Sequence, residues 1–233
     1  MAKTYDTLVL QAEFFTGLLS QTVTRVCESY VERSADRGSF FFRQEDPAEH
    51  FCLLAKGRVK VGQVTEDGQQ VTMRVIVPGQ VFGGMAVLGP RASYPVSAEA
   101  MESSTALLWK GESLRDLARR DPGLGLKMTE LMYTHLQEMQ ARFRELATER
   151  VERRVARALL RLASQAGRKV GEGLLIDVPL SRQEIAEMTG TTLYSVSRLL
   201  SEWERQGLIE AGRGRVVIRN PHGLVVIAED IGK

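Results

Sequence analysis

The chain has 233 residues, with 31 basic and 29 acidic side chains and a formal net charge of +2. Its 43% hydrophobic and 26% charged residues are typical of a folded globular protein and exclude a disordered chain. Two cysteines, Cys27 and Cys52, are too few for a disulfide framework or a four-thiolate cluster. A run of about 18 apolar residues and the apolar core of a signal peptide are both missing, so we expect a cytoplasmic protein that does not engage membranes.

The charges are distributed unevenly along the chain. Residues 1–146 carry 17 basic and 18 acidic groups, whereas residues 147–233 carry 14 basic and 11 acidic groups. The second part is mildly basic, which by itself is weak support for a polyanionic partner.

Residues 20–110 predict an all-β region. Short apolar alternations are interrupted by Gly57, Gly68 and Gly79, which lie 11 residues apart. Short strands separated by turn glycines at this spacing are typical of a sandwich or barrel. Asp67-Gly68 predicts a hairpin turn, and Pro78-Gly79 predicts a second turn.

A helical period begins at Asp121-Pro122, and no Gly or Pro interrupts residues 126–166. A narrow stripe runs along the first part of this stretch: Met128, Met132, His135, Met139, Phe143 and Leu146. Because its period is close to 3.5 residues, the stripe predicts the seam of a symmetric homodimer. The alternative is that the stripe packs against the β region of its own chain.

The next part of the chain predicts a second, smaller domain. A wider apolar face at residues 155–162 is typical of a helix that enters such a domain. Turn residues in 167–179 then predict a connection with an edge hairpin.

Residues 180–210 carry the pattern most informative about function. Ser181 followed by Glu184 is a capping box, which predicts the start of a helix. Gly190 would end that helix, and Thr191 or Thr192 would cap a second one. The predicted inner faces are Ile185, Ala186 and Met188 on the first helix, and Val196, Leu199, Leu200 and Trp203 on the second. A small residue, a turn glycine and an apolar residue placed in this order predict a helix-turn-helix.

The second helix would present a polar face to DNA, because Arg198 can bond bidentately to guanine in the major groove. Strand patterns at residues 208–211 and 215–218 flank a Gly-Arg-Gly tip, which predicts a basic wing beside that helix. The predicted DNA-binding residues are Arg182, Thr191, Thr192, Leu193, Tyr194, Ser197, Arg198, Arg213 and Arg215. The alternative is an ordinary helical hairpin with solvated arginines.

Several segments together carry a family resemblance. They are the glycine-spaced strands, Pro78-Gly-Gln-Val-Phe-Gly-Gly-Met-Ala86, the long helix, and Ser181-Arg-Gln-Glu-Ile-Ala186 through Val196-Ser-Arg-Leu-Leu200. Over nearly its full length the chain resembles the CRP/FNR superfamily of bacterial transcription regulators. The resemblance implies an α+β fold with a jelly-roll-like β-roll effector domain in residues 1–120, a dimerisation helix in 121–148 and a winged helix-turn-helix in 149–233. It also implies a homodimer on a palindromic DNA site, and activation through contact with RNA polymerase.

The effector site departs from relatives that bind cyclic AMP. Those relatives hold the ribose with a Phe-Gly-Glu turn, the cyclic phosphate with an Arg-Ser pair, and adenine with Thr-Ser on the long helix. Here Gly84 replaces the glutamate, Tyr94-Pro95 replaces Arg-Ser, and Met139-Gln140 replaces Thr-Ser. The resemblance therefore implies an effector other than cyclic AMP. The iron–sulfur cluster of oxygen-sensing relatives needs four cysteines and is not expected either.

A modified pocket, rich in methionine, is predicted instead: Phe82, Gly83, Gly84, Met85, Tyr94, Pro95, Met132, His135 and Met139. Some relatives sense nitric oxide or carbon monoxide through haem, and His135 is the best-placed histidine for such a ligand, although a lone His in a helical seam is more often a packing residue. The pocket equally suits an apolar organic effector. A thiol switch at Cys27 or Cys52 is a further alternative, but no neighbouring basic residue in the sequence would activate either thiol, which favours inert cysteines.

Three classes of function compete. A transcription regulator is favoured, either ligand-free or with an effector that shifts the DNA-binding domains about a hinge in residues 148–154. The second class is a small-molecule or haem sensor whose winged domain contacts proteins. An enzyme is disfavoured because the sequence has no nucleophile–base set, metal-ligand spacing or phosphate loop.

Overall fold

The computed structural model describes residues 4–66, 70–212 and 214–230. The helices are α1 (Asp6–Gln11), α2 (Ser20–Ser29), α3 (Gly111–Arg120), α4 (Pro122–Thr148), α5 (Val151–Ala166), α6 (Arg182–Thr189), α7 (Leu193–Arg205) and α8 (Pro221–Glu229). The strands before α4 are β1 (Val31–Ala35), β2 (Phe40–Phe42), β3 (His50–Lys56), β4 (Val59–Val64), β5 (Gln70–Ile76), β6 (Val81–Phe82), β7 (Ser97–Ala100) and β8 (Ser104–Lys110). The strands after α5 are β9 (Gly167–Val170), β10 (Gly173–Ile176), β11 (Ile209–Gly212) and β12 (Arg215–Ile218). This order of elements confirms the expected α+β fold.

The contacts within the chain divide it into two compact units, residues 1–68 with 73–138 and residues 69–72 with 139–233. Apart from residues 70–72 of β5, the first unit contains two four-stranded sheets, with strand orders β1-β8-β3-β6 and β2-β7-β4-β5. The central pair is antiparallel and places Phe51 of β3 opposite Trp109 of β8. The two sheets form the predicted β-roll.

Turn glycines separate the strands of the roll where their backbone conformation requires them. Gly57 joins β3 to β4 at a φ of +86°, and a Cβ there would overlap Ser104. Gly79 joins β5 to β6 at a φ of +87°. Side chains with a Cβ disfavour this conformation, so the spacing in the sequence reflects real turns. The third predicted turn, Asp67-Gly68, lies outside the described residues.

One side of the roll is covered by helices. Phe15, Phe51, Trp109, Leu114 and Leu124 are buried together in this core. The Trp109 indole donates a hydrogen bond to the Val26 carbonyl at 2.9 Å, so its polar atom is satisfied inside the core.

A buried carboxylate, that of Asp121, fixes the start of α4. It accepts hydrogen bonds from the backbone amides of Leu19 at 3.2 Å and Gly123 at 2.9 Å. A hydrogen bond with the Thr22 side chain is the main reason that the pKa of Asp121 lies below its ordinary range. These contacts explain why the helix begins at Asp121-Pro122, as predicted.

The residues between Asp121 and Ala166 form two helices rather than one. The first, α4, ends at Thr148 and α5 begins at Val151, with an extended backbone at Arg150. The break therefore occurs without Gly or Pro, inside the segment that the sequence predicts as a hinge. None of the helices in the described ranges is long and apolar enough to cross a membrane.

The second unit contains a sheet with strand order β11-β12-β10-β9. The hairpin predicted in 167–179 corresponds to β9 and β10, which pair directly, with β9 at the edge of the sheet. Buried Leu159, Trp203, Ile218 and Leu224 belong to α5, α7, β12 and α8 respectively, so each of these elements contributes to the interior. This small core carries the helix-turn-helix.

Candidate nucleic-acid interface and effector pocket

The two helices of the helix-turn-helix begin and end as their sequence predicts. The Ser181 hydroxyl accepts the Glu184 amide at 3.1 Å, and the Glu184 carboxylate accepts the Ser181 amide at 2.7 Å, which completes a capping box. Gly190 ends α6 at a φ of +58°. Of the two candidate caps, Thr192 is the one used, because its hydroxyl accepts the Ser195 amide at 3.1 Å.

The inner faces of α6 and α7 are buried within the second unit. Ile185 and Ala186 of α6 are buried, and so are Val196, Leu200 and Trp203 of α7. The predicted inner residues Met188 and Leu199 are only half-buried. The small residue, the turn glycine and the apolar residue are therefore where two crossing helices need them.

The opposite face of α7 is exposed near its N-terminus. Tyr194 is 77% exposed and Leu193 48% exposed. Arg198 follows one turn later and is also exposed, whereas Ser197 is half-buried. This face combines a guanidinium, an aromatic ring and an aliphatic side chain, which are groups that read base edges and thymine methyl groups.

The wing is formed by the antiparallel pair β11–β12, in which Gly212 lies opposite Arg215. Arg215 is exposed, whereas the predicted tip residue Arg213 lies outside the described residues. A cavity of about 490 Å³ opens between the wing, α7 and the start of α6, and Arg182 is among its lining residues. The predicted phosphate-binding residues Arg182 and Thr192 are exposed, and Thr191 is half-buried.

The core of the β-roll contains a cluster of aromatic side chains. The Tyr94 ring stacks on the Phe42 ring, with centroids 3.7 Å apart and planes 11° from parallel. The Phe82 ring is buried and lies edge-on to Phe41 at 5.6 Å. The Tyr94 hydroxyl donates to the His50 carbonyl at 2.7 Å and accepts the His50 amide at 2.9 Å. Burial raises the pKa of Tyr94 above its ordinary value.

The two glycines after Phe82 have no room for a side chain, because other atoms lie close to both. Gly83 has a φ of +73°, and a Cβ there would lie 2.7 Å from the His50 carbonyl oxygen. A Cβ on Gly84 would lie 2.8 Å from the terminal methyl of Met132. Met85 is half-buried against the core of the roll, and the Pro95 carbonyl accepts the Gln63 side-chain amide at 2.9 Å. Most of the predicted pocket residues therefore contact one another or the surrounding core.

His135 contacts a residue that the sequence pattern did not single out. Its Nε2 lies 2.5 Å from Nη1 of Arg74 on β5, and that same nitrogen lies 3.8 Å from the Glu138 carboxylate. Burial and then the Arg74 charge lower the pKa of His135, while Glu138 opposes the shift. The sequence did contain a signal for Arg74, because a charged residue within the apolar pattern of β5 indicates a side chain that needs a polar partner.

A cavity of about 420 Å³ lies beside the stacked Tyr94 and Phe42 rings. Its lining residues are Arg33, Phe40, Phe41, Phe42, Arg43, Asp46, Pro47, Glu49, His50, Cys52, Tyr94 and Leu108. Of the predicted pocket residues, Tyr94 reaches it. Burial raises the pKa of the Cys52 thiol, so the thiolate needed for redox chemistry is disfavoured. Cys27 and Cys52 are not joined in a disulfide, and Cys27 is half-buried.

Comparison with known proteins identifies the family. Residues 32–121 match the cyclic nucleotide-binding domain, and residues 153–227 match the Crp-like helix-turn-helix domain. A cyclic AMP receptor protein from Thermus thermophilus is 31% identical, over 92% of this chain and 95% of that protein. The chain belongs to the CRP/FNR family of transcription regulators.

Other CRP/FNR proteins match over similar lengths. A global nitrogen regulator from Synechocystis is 29% identical, over 91% of this chain and 93% of that protein. The structure of FixK2 from Bradyrhizobium japonicum superposes with a TM-score of 0.76 at 27% identity, covering 85% of this chain and 96% of that one. These CRP/FNR relatives are regulators rather than enzymes, and neither matched domain family is catalytic. The chain is therefore a DNA-binding regulator of this family. The names of these two relatives refer to different signals, nitrogen and cyclic AMP.

The apolar side chains of the long helix differ in burial along its length. Met128 packs against the core of its own β-roll, and Met132 and His135 are half-buried. Six large apolar side chains of the helix are exposed on a single chain: Leu126, Tyr133, Leu136, Met139, Phe143 and Leu146. Met128, Met132 and His135 are thus the less exposed members of the predicted seam, and Met139, Phe143 and Leu146 are its exposed members.

The predicted haem ligand does not fit that role in this CRP/FNR structure. The Nε2 atom of His135 is already in contact with Arg74. Met139, predicted for the same pocket, is 55% exposed. In the described ranges, no cluster of three or more His, Cys, Asp or Glu side chains is arranged to hold a metal ion.

Proposed function

We propose that this chain acts as a homodimeric, sequence-specific transcription regulator that binds a palindromic site in double-stranded DNA. The observation that carries the proposal is the exposed face of α7, where Tyr194 and Arg198 project from a helix whose other face is buried. Such a helix can enter the major groove without disturbing its own core. Two copies related by a twofold axis would read half-sites one helical turn apart.

Each predicted DNA-binding residue has a proposed role. Arg198 would bond to guanine O6 and N7, and Tyr194 would pack on a thymine methyl or bond to a phosphate. Leu193 and Ser197 would contact neighbouring base edges. The residues proposed for phosphates are Arg182, Thr191, Thr192, Arg213 and Arg215.

The homodimer would form along α4. Exposed Leu136 and Phe143 are seven residues apart, and Met132, Met139 and Leu146 also follow one another at seven-residue steps. Pairing this stripe with its copy would remove a row of large apolar side chains from water. Leu126 and Tyr133, themselves one heptad apart, would flank the seam, while Met128 and His135, the remaining predicted seam residues, contact the chain's own roll.

The proposed regulator does not use cyclic AMP. Gly84 offers no carboxylate for the ribose hydroxyls, and Tyr94 cannot pair with a cyclic phosphate as an arginine does. Tyr94 instead stacks on Phe42, which supports DNA binding without this ligand. An effector other than cyclic AMP remains the other proposal, and it would bind beside these rings, which line the cavity of about 420 Å³ in the roll. Activation through RNA polymerase in the cytoplasm is proposed from the family resemblance alone.

The experiment that tests the proposal is selection of binding sites from a random library of duplex DNA by the purified protein without added ligand. We expect one palindromic sequence to be enriched, and we expect the protein to sediment as a dimer. Enrichment of no sequence, with and without cyclic AMP, would overturn the assignment and favour a sensor whose winged domain contacts proteins. A tighter complex on addition of cyclic AMP, or a Soret absorbance band in the purified protein, would overturn the proposal about the effector.

A further inference from the structure

The guanidinium of Arg154, on the first turn of α5, joins three backbone carbonyl groups. Its Nη1 donates to the Glu149 carbonyl at 2.9 Å, its Nε to the Thr189 carbonyl at 2.9 Å, and its Nη2 to the Gly190 carbonyl at 3.1 Å. All these residues belong to the second unit. One planar group therefore contacts the end of α4 and the turn of the helix-turn-helix simultaneously.

These carbonyls lie at the C-terminal ends of two helices. Glu149 follows the last residue of α4, and Thr189 and Gly190 are the last residue and the C-cap of α6. The final carbonyls of a helix lack partners within it and carry a partial negative charge. The guanidinium carries a fixed positive charge and several donors in one plane, so it can bond to the carbonyls at the ends of α4 and α6 at the same time. A lysine ammonium group lacks this planar set of donors.

Neighbouring contacts stabilise the same corner, by which we mean the place where the end of α4, the start of α5 and the turn between α6 and α7 meet. The Glu149 carboxylate pairs with Arg157 at 3.1 Å and with Arg153 at 3.6 Å. The Glu145 carboxylate, one turn earlier on α4, pairs with Arg161 at 2.7 Å. A methyl group of Leu146 lies 2.8 Å from the position that a Cβ on Gly190 would occupy. The last turn of α4 is thus tied to α5 and to the turn between α6 and α7.

We infer that Arg154 is a positioning residue that sets the angle between the end of α4 and the helix-turn-helix, and so selects the spacing of the two DNA half-sites. The inference rests on the proposed function, in which the α4 helices of two copies pair along the twofold axis. In that dimer, the angle at this corner determines how far apart the two α7 helices lie. The segment 148–154 is then a hinge with a fixed angle, and Arg154 fixes that angle by bonding to the ends of both α4 and α6.

The test uses the full-length protein and a series of palindromes that share one half-site sequence but differ in spacer length by one or two base pairs. The variants are Arg154→Ala and Arg154→Lys, with Arg168→Ala as the control. Arg168 is an arginine of the same unit whose side chain is 61% exposed and lies 3.7 Å from Asp177. Its removal changes the net charge equally without touching the corner.

We expect the wild-type protein and Arg168→Ala to prefer one spacer strongly. In Arg154→Ala that preference should fall by about tenfold, as expected for the loss of a charge-assisted contact, while affinity for an isolated half-site is unchanged. Arg154→Lys should also lose part of the preference, because it keeps the charge but not the planar set of donors.

Unchanged spacer preference in a folded Arg154→Ala protein would overturn the inference. If Arg154→Ala does not fold, the spacer preference of Arg154→Lys is the test, and an unchanged preference in that variant would overturn the inference. Equal weakening on every spacer and on the half-site would also overturn it, because that result indicates a general loss of structure. Failure of the wild-type protein to bind any palindrome would contradict the proposed function instead, so the two failures are distinguishable.

Discussion

The ring of Tyr94 lies parallel to the ring of Phe42, 3.7 Å away, inside the β-roll. The Tyr94 hydroxyl then makes two hydrogen bonds to the backbone of His50. These contacts join the loop before β7 to β2 and β3. The position where cyclic-AMP-binding relatives are expected to carry a phosphate-binding group is here part of the hydrophobic core. A ligand at the position of these two rings would have to displace them, whereas the cavity of about 420 Å³ that they line leaves room beside them.

The first prediction concerns the stability provided by Tyr94. Replacing Tyr94 with Ala should lower the free energy of unfolding by about 3–5 kcal/mol, because a buried aromatic ring is replaced by a cavity. Tyr94→Phe keeps the stacked ring and should cost about 1–2 kcal/mol, because the His50 carbonyl and amide lose their partner. Urea unfolding followed by circular dichroism measures both. Equal destabilisation by the two variants would show that the stacked ring contributes little.

The second prediction is a pH dependence that originates at His135. Its folded-state pKa lies below the ordinary value of about 6.5 because burial and Arg74 disfavour the imidazolium. The unfolded chain therefore binds more protons around this value, so the free energy of unfolding should fall as the pH is lowered through about 6.5. His135→Gln can still accept a hydrogen bond from Arg74 but does not titrate.

The measurement is the free energy of unfolding as a function of pH for wild type and His135→Gln. The variant should show a shallower slope between about pH 6.5 and the lower pKa of the folded state. Parallel curves for the two proteins would contradict the placement of His135 against Arg74. His50 and His222 are present in both proteins, so their contribution cancels in the comparison.

Local signals in the sequence predicted the elements of the helix-turn-helix well. The capping box at Ser181, the left-handed Gly190 and the cap at Thr192 each depend on residues within a few positions. The turn glycines Gly57 and Gly79 are local signals of the same kind. Such features follow from backbone conformation and short-range hydrogen bonds, so a single sequence is sufficient to recognise them.

Contacts between distant residues were not predictable in the same way. The sequence shows the apolar stripe of α4, but its period does not state which residues of the stripe pack against the chain's own roll. Met128, a member of the predicted seam, packs on that roll. The contacts of Tyr94 with Phe42 and of His135 with Arg74 join residues on separate strands and helices, for which no local pattern exists.

The third prediction separates base recognition from phosphate binding. Arg198→Ala should weaken binding to the selected palindrome by about 1–3 kcal/mol per half-site, because the bidentate contact to guanine is lost. Binding to random duplex should change little, since phosphate contacts dominate there. Arg205→Ala is the matched control, because Arg205 lies on the last turn of the same helix and pairs with Glu202.

Titration of labelled duplexes at several salt concentrations measures both effects. The Arg205→Ala protein should retain the wild-type ratio between specific and random affinities. If Arg198→Ala also retains that ratio, the assigned reading face of α7 is wrong.

The last prediction concerns the dimer seam on α4. Phe143 is 75% exposed on a single chain and lies one heptad beyond Leu136. Replacing it with Glu would remove apolar burial from both copies and place two like charges close to the twofold axis. The expected cost is about 3 kcal/mol or more, which weakens dimerisation over roughly a hundredfold. The control is Thr134→Glu, an exposed position on the same helix that lies well away from the stripe.

Sedimentation velocity over a range of protein concentrations measures the dissociation of the dimer. Phe143→Glu should sediment as a monomer at concentrations where the wild type and Thr134→Glu are dimers. Because two linked half-sites bind far more tightly than one, the same variant should lose affinity for the palindrome while its affinity for an isolated half-site is unchanged. A dimer of wild-type stability in Phe143→Glu would place the seam elsewhere and remove α4 as the source of the twofold axis.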